Sequence, residues 1–222
     1  MTQSARRLSK TQATDLLVTA ATDLLARHGP SELQARTVAT AAGLSSSAVY
    51  HHLGGLPELM HAVVERGFED LSAEFVGLVE SPDPVADLFS HALAMRQFAQ
   101  DNPHRYDLMF GLSTRGTYRS WEAESADRRS GAFRTTYSHL VRACERAVQA
   151  GRLSRATDPD EVADQLWCCV HGFLTLELGQ HLAHRASPVQ DVLRPLTTNV
   201  LTMHGDSHES AAASHAVALA AP

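Results

Sequence analysis

The amino-acid sequence predicts an all-α protein in which three N-terminal helices precede a larger helical domain, about nine helices in all. Three observations support this fold class. Apolar residues recur at the spacing of a helix along most of the chain, and Gly or Pro residues interrupt the pattern at intervals. No segment alternates apolar and polar residues over a convincing length for a strand. With 222 residues, the chain is long enough to bury a sizeable core.

The N-terminal quarter predicts one long and two short helices. The first carries an apolar stripe of helical period and ends at Gly29-Pro30. A turn at Gly43 separates the two short helices, and Gly54-Gly55 ends the second of them. The three predicted helices cover residues 11–28, 34–42 and 46–53.

Pro and Gly residues also limit the helices of the larger domain. Pro57 stands in the first turn of a long helix, and Gly67 inside that helix is a candidate bend. Asp158-Pro159 is an N-cap followed by Pro at the first helical position. The predicted helices cover residues 57–80, 85–100, 103–111, 121–150, 159–183 and 187–203, with a loop at 112–118. Beyond Gly205 the chain is rich in Ala, Ser and His without a periodic stripe, which predicts a disordered tail at 205–222.

Composition and charge limit the classes of function. The net charge of −6 argues against a uniformly basic nucleic-acid binder, although residues 1–60 carry five basic and four acidic side chains. A chance fluctuation of composition explains that small local excess equally well. No apolar run reaches the roughly 18 residues that a transmembrane helix needs, and the three cysteines do not make a disulfide framework. We therefore expect a protein of the reducing cytoplasm that does not span a membrane.

The segment 37–53 has the spacing of a helix-turn-helix. Two short helices cross so closely in this motif that the residue at the crossing must be small, as Ala39 is. Four residues later, Gly43 supplies the left-handed backbone that the turn needs. Val49, six residues further on, is a β-branched apolar plug beneath the second helix. An ordinary pair of helices within a core is the alternative interpretation.

In such a motif the second helix enters the major groove of DNA by its N-terminal end. Hydroxyl, imidazole and guanidinium groups on the two helices can hydrogen-bond phosphates and bases. The candidate DNA-binding residues are Arg36, Thr37, Ser46, Ser47, Tyr50, His51 and His52. Ser45 is the expected N-cap of the second helix.

Base specificity is expected to come from several weak sources. No Arg lies in the second helix to make a bidentate contact with guanine. We therefore expect DNA shape, water molecules and a basic arm of Arg6, Arg7 and Lys10 to contribute. A disordered tail is the alternative interpretation of the arm.

Residues 11–64 resemble the DNA-binding domain of the TetR family of bacterial transcriptional repressors. The resemblance rests on the three-helix layout, the Ala39–Gly43 spacing, Leu44-Ser45, Val49-Tyr50-His51-His52, and Glu58-Leu59 at the start of a long fourth helix. It implies a homodimer that binds a palindromic operator in double-stranded DNA and releases it when a C-terminal domain takes up a small molecule. The chain departs from the family pattern at Leu53, where an aromatic residue is usual, and at Leu56, where a phosphate-contacting Lys is usual.

The second half carries a local resemblance to one C-terminal subclass of the same family. Residues 166–173, with Trp167 and His171-Gly172, resemble its Trp…His-Gly motif, and residues 106–110 resemble it too. We expect an effector pocket between the helices of residues 85–180, and an apolar or weakly polar effector because few charges fall on the inward stripes. The candidate ligand-binding residues are Phe98, Tyr106, Met109, Phe110, Trp121, Phe133, Tyr137, Trp167, His171 and Phe173. Ordinary packing is the alternative for each of them.

Two apolar stripes in the last two predicted helices are candidates for a dimer interface. Two reading helices must stand one helical turn of DNA apart, about 34–36 Å, which requires a fixed dimer. Two helices from each subunit provide it as a four-helix bundle. The candidate interface residues are Leu174, Leu178, Val189, Val192, Leu193, Leu196 and Val200. The core of the monomer is the alternative location for both stripes.

The sequence thus predicts a DNA-binding domain with its basic arm at 1–56, an effector-binding and dimerisation domain at 57–204, and the tail. A helical small-molecule-binding protein with weak or lost DNA binding is the alternative function. No enzyme is expected, because no glycine-rich phosphate loop, nucleophile elbow or His-Glu-x-x-His pattern occurs. No cofactor or metal is expected either, because Cys168 and Cys169 point about 100° apart on a helix and no Cys-x-x-Cys occurs.

Overall fold

The computed structural model describes residues 8–111 and 131–220, and within them the chain is all-α, which confirms the predicted fold class. A short 3-10 helix at Pro30–Glu32 and a π-helical segment at Val189–Leu193 accompany ten α-helices in these residues. The α-helices are α1 (Lys10–His28), α2 (Ala35–Ala41), α3 (Ala48–His52), α4 (Leu56–Gly77), α5 (Pro84–Asp101), α6 (Pro103–Met109), α7 (Gly131–Gln149), α8 (Pro159–Leu178), α9 (Arg194–Met203) and α10 (His208–Ala220). The predicted loop at 112–118 and the first ten residues of the helix predicted at 121–150 lie outside the described residues.

Packing divides the described residues into two compact units. Within the described residues, unit 1 comprises 8–68, 102–111 and Gly131, and unit 2 comprises 69–101 and 132–220. The boundary therefore falls within α4, and not before it as the sequence suggests. Unit 1 also takes in α6, which packs against α1.

The beginning of α1 is set by a capping box. The hydroxyl of Ser9 accepts a hydrogen bond from the Gln12 backbone N–H at 3.1 Å, and the Gln12 side chain accepts one from the Ser9 backbone N–H at 3.0 Å. Lys10 is consequently the first residue of α1 and not part of an extended arm, so that prediction is wrong. Arg6 and Arg7, the other two residues of the predicted arm, lie outside the described residues.

Unit 2 is built around one apolar core to which five helices contribute. Each of α5, α7, α8, α9 and α10 places at least one side chain in this core with no accessible surface. These include Val85, Cys144, Val162, Leu201 and Ala211. The core of unit 2 therefore depends on residues spread over more than half of the chain.

The tail predicted at 205–222 is wrong for residues 208–220, because they form α10. The hydroxyl of Ser207 accepts a hydrogen bond from the Ser210 backbone N–H at 3.0 Å and so caps the start of this helix. Its buried face consists of Ala211, Ser214, His215 and Ala218, and α10 packs against α5 and α9. Such small or polar side chains do not form a recognisable apolar stripe, although alanine is the best helix former.

A polar network around Arg152 fastens α10 to the rest of unit 2. The guanidinium of Arg152 donates to Asp83 at 2.8 Å, to Asp206 at 2.7 Å and to the Ser214 hydroxyl at 3.1 Å. Ser214 in turn donates to Asp83 at 2.6 Å. Burial works against the charge on Asp83, but the hydrogen bonds from Ser214 and the backbone, together with Arg152, hold its pKa below the usual value.

The last two predicted helices differ from the observed ones at points that backbone chemistry explains. Helix α8 ends at Leu178, because Gln180 adopts a left-handed conformation with φ of 61° and turns the chain. The helix predicted at 187–203 is a π-helical segment followed by α9. Pro195 has no N–H to donate one turn back, and the wider π-helical hydrogen bonding ends two residues before it.

We predict that Arg152→Met loosens α10. The substitution leaves the carboxylate of Asp206, which is 7% exposed, without its charged partner. Breaking such a pair should lower the free energy of unfolding by about 3 kcal/mol. Hydrogen exchange of the amides at 208–220, together with urea unfolding, would measure the effect. Arg155→Met, at an exposed position, is the control, and equal protection of α10 in both variants would contradict the role given to Arg152.

Candidate nucleic-acid interface and ligand cavity

The crossing of α2 and α3 is built as the spacing of the motif requires. Ala39 and Val49 have no accessible surface, and Gly43 has φ of 68°, in the left-handed region. The Leu44 backbone N–H donates to the Ala39 carbonyl at 2.8 Å and closes the turn after α2. A Cβ at Gly43 would meet no atom within 4 Å, so glycine is required here for its conformation and not for space.

Helix α3 is shorter at its start than predicted. Ser45 to Ser47 form a turn before α3, and the Ala48 backbone N–H donates to the Ser45 carbonyl at 2.9 Å. The hydroxyl of Ser45 lies 3.2 Å from that of Ser47 and does not cap the helix, so the predicted N-cap is wrong. Ser45, Ser46 and Ser47 are all exposed, which places three hydroxyl groups at the N-terminal end of α3.

The other predicted DNA contacts lie in α2 and α3, and all of them keep accessible surface. Tyr50 is 63% exposed. His51 and Arg36 are exposed, and Thr37 and His52 are half-buried. The imidazole rings of His51 and His52 meet edge to face with centroids 4.7 Å apart. These side chains offer hydroxyl, imidazole and guanidinium donors, as phosphate contacts require.

Three of the predicted ligand-binding residues belong to the core of unit 1. Tyr106 and Met109 have no accessible surface, and the Phe110 ring meets Phe68 edge to face with centroids 5.6 Å apart. A Cβ at Gly67 would lie 2.6 Å from the Met109 sulfur, so α6 approaches α4 closely at this glycine. The structure thus shows these three residues packed against α4, and their part in ligand binding stays a prediction. Trp121 lies outside the described residues.

The remaining predicted ligand residues lie in unit 2, where four of them form a chain of rings. Phe133 stacks on Tyr137 with centroids 5.8 Å apart, Trp167 meets both rings edge to face, and Trp167 and His171 are 4.4 Å apart. Burial lowers the pKa of His171 to about 3, so its imidazole is uncharged at neutral pH. The other two, Phe98 and Phe173, are buried in the core.

A small cavity lies inside unit 2, and most of its walls were not predicted. Its volume is about 20 Å³, which is room for about one water molecule. Of the ten predicted ligand residues, only Trp167 lines it. Its polar side chains are those of His91, Thr197 and His215. The sequence does not predict His215 as a cavity residue, because α10 shows no apolar stripe that would mark a buried face. A single histidine such as His91 has no neighbouring motif that would mark it as a cavity residue either.

The predicted dimer residues divide into buried and accessible ones. Leu174 and Leu193 have no accessible surface and Val200 is buried, so these three belong to the core of one protomer and that prediction is wrong for them. Leu196 is 39% exposed, and Leu178, Val189 and Val192 are half-buried. The opposite face of α8 is open, and its exposed residues include Asp164, Cys168, Gly172, Thr175 and Leu176.

Residues 8–111 and 131–220 contain neither a metal-binding cluster nor a membrane-spanning helix. No group of three or more His, Cys, Asp or Glu side chains in these ranges is arranged to hold a metal ion. None of the helices described there is long and apolar enough to cross a bilayer.

An all-α chain with a tight crossing of two short helices and an exposed second helix defines a helix-turn-helix regulatory protein. Residues 17–63 match the family described as bacterial regulatory proteins, tetR family, and residues 88–200 match a tetracyclin repressor-like C-terminal domain. The chain belongs to the TetR family, a family of DNA-binding transcription regulators, and the resemblance seen in its sequence is confirmed.

Similar proteins agree with this assignment. The HTH-type transcriptional regulators Rv1816 of Mycobacterium tuberculosis and Mb1846 of Mycobacterium bovis are each 34% identical over 94 residues, which is 40% of this chain and 39% of theirs. The match thus spans well under half the length of these relatives.

Solved structures of low sequence identity share the fold. A protein of unknown function from Rhodococcus sp. RHA1 has a TM-score of 0.71 and 24% identity, with 92% of this chain and 100% of that chain covered. RolR in complex with resorcinol has a TM-score of 0.66 and 14% identity, with 93% and 94% covered. SmeT, the repressor of a Stenotrophomonas maltophilia efflux pump, has a TM-score of 0.55 and 23% identity, with 88% and 90% covered.

We predict that Gly43→Ala destabilises the helix-turn-helix. A Cβ in the left-handed region costs about 1–2 kcal/mol, because it crowds the following carbonyl oxygen. Gly77→Ala is the matched control, since Gly77 ends α4 without a positive φ and has no atom within 4 Å of an added Cβ. Hydrogen exchange of the α2 and α3 amides should rise only in the Gly43 variant. Equal exchange in the two variants would contradict the conformational role of Gly43.

Proposed function

We propose that the protein is a ligand-responsive transcription repressor that binds a palindromic operator as a homodimer and leaves it when a small effector binds. The observation that carries this proposal is the geometry of unit 1. The α2–α3 crossing is fully buried, while the serine turn and Tyr50 on the outer side of α3 are exposed. The exposed side of α3 combines three hydroxyls at its N-terminal end with the Tyr50 phenol, the groups that a reading helix offers to bases and phosphates.

DNA recognition in this proposal combines many weak contacts. The hydroxyls of Ser46 and Ser47 approach base edges from the N-terminal end of α3, and Tyr50, His51 and His52 bind phosphates. Arg36 and Thr37 add phosphate contacts from α2. Because serine hydroxyls discriminate bases poorly, the shape of the operator contributes to the choice of site. Leu56 stands at the first position of α4 in place of a basic residue, so nonspecific affinity should be low and should fall gently with salt.

The effector is proposed to be a small, apolar or weakly polar molecule bound in unit 2. The internal cavity supports this, because the residues that line it are mainly apolar. Two proteins that share this fold were solved with small molecules, RolR with resorcinol and SmeT with triclosan. Release follows if the effector binds only the conformation in which the two reading helices are wrongly spaced, since binding then shifts the population to that conformation.

The dimer is proposed to form through the open face of α8. The apolar stripe on the other side of that helix is already used by the core, as the burial of Leu174 shows. Cys168, Gly172 and Leu176 lie four residues apart on one exposed face. Leu178, Val189, Val192 and Leu196, which keep accessible surface, remain candidates beside this face. We further propose that the protein acts in the cytoplasm and without enzymatic activity, as the regulator names of its relatives suggest.

The DNA-binding proposal is tested by fluorescence anisotropy with duplexes from the region upstream of the gene. Tyr50→Ala should weaken binding to every duplex alike by about tenfold, the value of one or two phosphate hydrogen bonds. Tyr50→Phe separates the hydroxyl from the ring, and Val79→Ala, at a position that is 90% exposed, is the control. Ser47→Arg should instead change which duplex is preferred.

Two outcomes would contradict this assignment of α3. Unchanged affinity and preference in both the Tyr50 and Ser47 variants would show that α3 is not the reading helix. No saturable binding to any duplex at low salt would favour the alternative, a helical small-molecule-binding protein whose DNA binding has been lost, and Leu56 is the residue that keeps this alternative open.

The dimer proposal is tested by a pair of glycine substitutions. Gly172 and Gly77 both lie in helices with no atom within 4 Å of an added Cβ, so an arginine fits either position in the protomer. Gly172→Arg should shift the protein to monomers in sedimentation velocity, because the face between two α8 helices must then bury a charge. Gly77→Arg should leave the dimer intact. Dimers of equal stability in both variants would place the interface elsewhere.

A further inference from the structure

Two cavities of unit 2 share a wall. A small cavity of about 20 Å³, which we name the core cavity, lies among buried side chains, and a groove of about 650 Å³ is formed by the end of α4 with α5 and α7. Phe75 and His91 line both of them. These two side chains therefore form the wall that the groove shares with the core cavity.

His139 contacts both rings of the shared wall from the side of the groove, and we name Phe75, His91 and His139 the ring plug. The Phe75 ring meets His91 and His139 edge to face, with centroids 4.8 Å and 6.0 Å apart, and the two imidazoles are stacked at 6.5 Å. Each histidine has one anchoring contact, His91 Nδ1 with the Asp87 carbonyl at 2.7 Å and His139 Nε2 with the Ser72 hydroxyl at 3.2 Å. Phe75 makes ring contacts and packs among buried side chains, so turning its side chain breaks no hydrogen bond.

The side chains that line the core cavity favour an uncharged aromatic ligand. Among the described residues that line it there is no Asp, Glu, Lys or Arg, and Phe75, Phe89 and Trp167 offer aromatic surfaces. Burial lowers the pKa of His91, and it lowers the pKa of His215 to about 4. Both imidazoles are therefore uncharged at neutral pH and attract no anion.

The polar groups of the cavity favour a ligand that donates a hydrogen bond. A carbonyl oxygen can only accept, so His91 Nδ1 must donate to Asp87, and the neutral ring then carries its lone pair on Nε2. The Thr197 hydroxyl donates to the Leu193 carbonyl at 3.0 Å, which leaves its oxygen as an acceptor. Two acceptors in an apolar cavity call for a hydroxyl group on the ligand.

We propose that the core cavity is the deep end of a binding site for a small, uncharged aromatic compound with a hydroxyl group, which passes from the groove by displacing the ring plug and donates its hydrogen bond to His91. Turning Phe75 aside joins the two spaces, and the core cavity alone is too small for a ring. That such binding releases DNA rests on the proposed function, but the binding itself does not depend on it.

The chemical class is tested by calorimetric titration of the full chain with three probes at pH 7.5. Phenol and toluene have nearly the same size and differ in one hydroxyl group, and benzoate adds a charge. Phenol should bind about tenfold more tightly than toluene, the value of one buried hydrogen bond, and benzoate should not bind in the same range. Toluene or benzoate binding as tightly as phenol, or no binding of phenol, would overturn the proposal without any variant.

The role of His91 is tested by His91→Phe, which keeps a ring in the plug but removes the acceptor. The preference for phenol over toluene should disappear while toluene affinity stays the same, and His91→Gln, with a carbonyl acceptor, should restore part of the preference. His184→Phe, the same change at an exposed position after α8, is the control and should bind like the parent. A full preference for phenol in His91→Phe would overturn the assignment of the acceptor.

The entry path of the ligand is tested by Phe75→Ala in stopped-flow mixing with phenol, with Trp167 fluorescence as the signal. Because the chain has two tryptophans, parent and variant both carry Trp121→Phe, which leaves Trp167 as the single reporter. The association rate should rise at least several-fold over the parent, because the barrier has lost a ring. An unchanged rate in a variant that still binds phenol would show that the ligand enters elsewhere. None of these assays contains DNA, so a failure of DNA binding would leave their outcome unaffected.

Discussion

The close crossing of α2 and α3 is the constraint on which the DNA-binding interpretation depends. Ala39 and Val49 fill the crossing completely, and Gly43 turns the backbone in a conformation that other residues rarely adopt. Because the inner side of the motif is buried by packing, the polar side chains of α3 lie on its outer, exposed side. One buried contact of small residues thus produces an exposed row of hydroxyl and imidazole groups.

The C-terminal helix α10 completes the packing of unit 2 and forms part of the cavity wall. Arg152 connects Asp83 before α5, Asp206 before α10 and Ser214 within α10, so residues far apart in sequence hold α10 against the core. Docking of α10 also brings the His215 ring against Phe89, with centroids 4.1 Å apart, and into the wall of the cavity. The size of the cavity and its polar groups therefore depend on a helix that composition alone would assign to a disordered tail.

Helix α8 shows why an apolar stripe does not identify its partner. Leu174 carries the predicted periodicity, yet it faces the protomer's own helices and has no accessible surface. The opposite face, with Cys168 and Gly172, is less apolar and more exposed. Burial in a core and burial in an interface select the same residue types, so periodicity predicts that a face is buried but not by which molecule.

The amino-acid sequence by itself determined the all-α fold, the helix-turn-helix and most helix limits, because these depend on contacts within a few residues along the chain. Helix periodicity, N-caps and the Gly43 turn are local properties of this kind. Only the tertiary structure decided that Tyr106 and Met109 belong to the core of unit 1, that Leu174 faces its own protomer, and that His91 and His215 meet at one cavity. Those outcomes depend on which distant helices pack together, and no short segment of sequence carries that information.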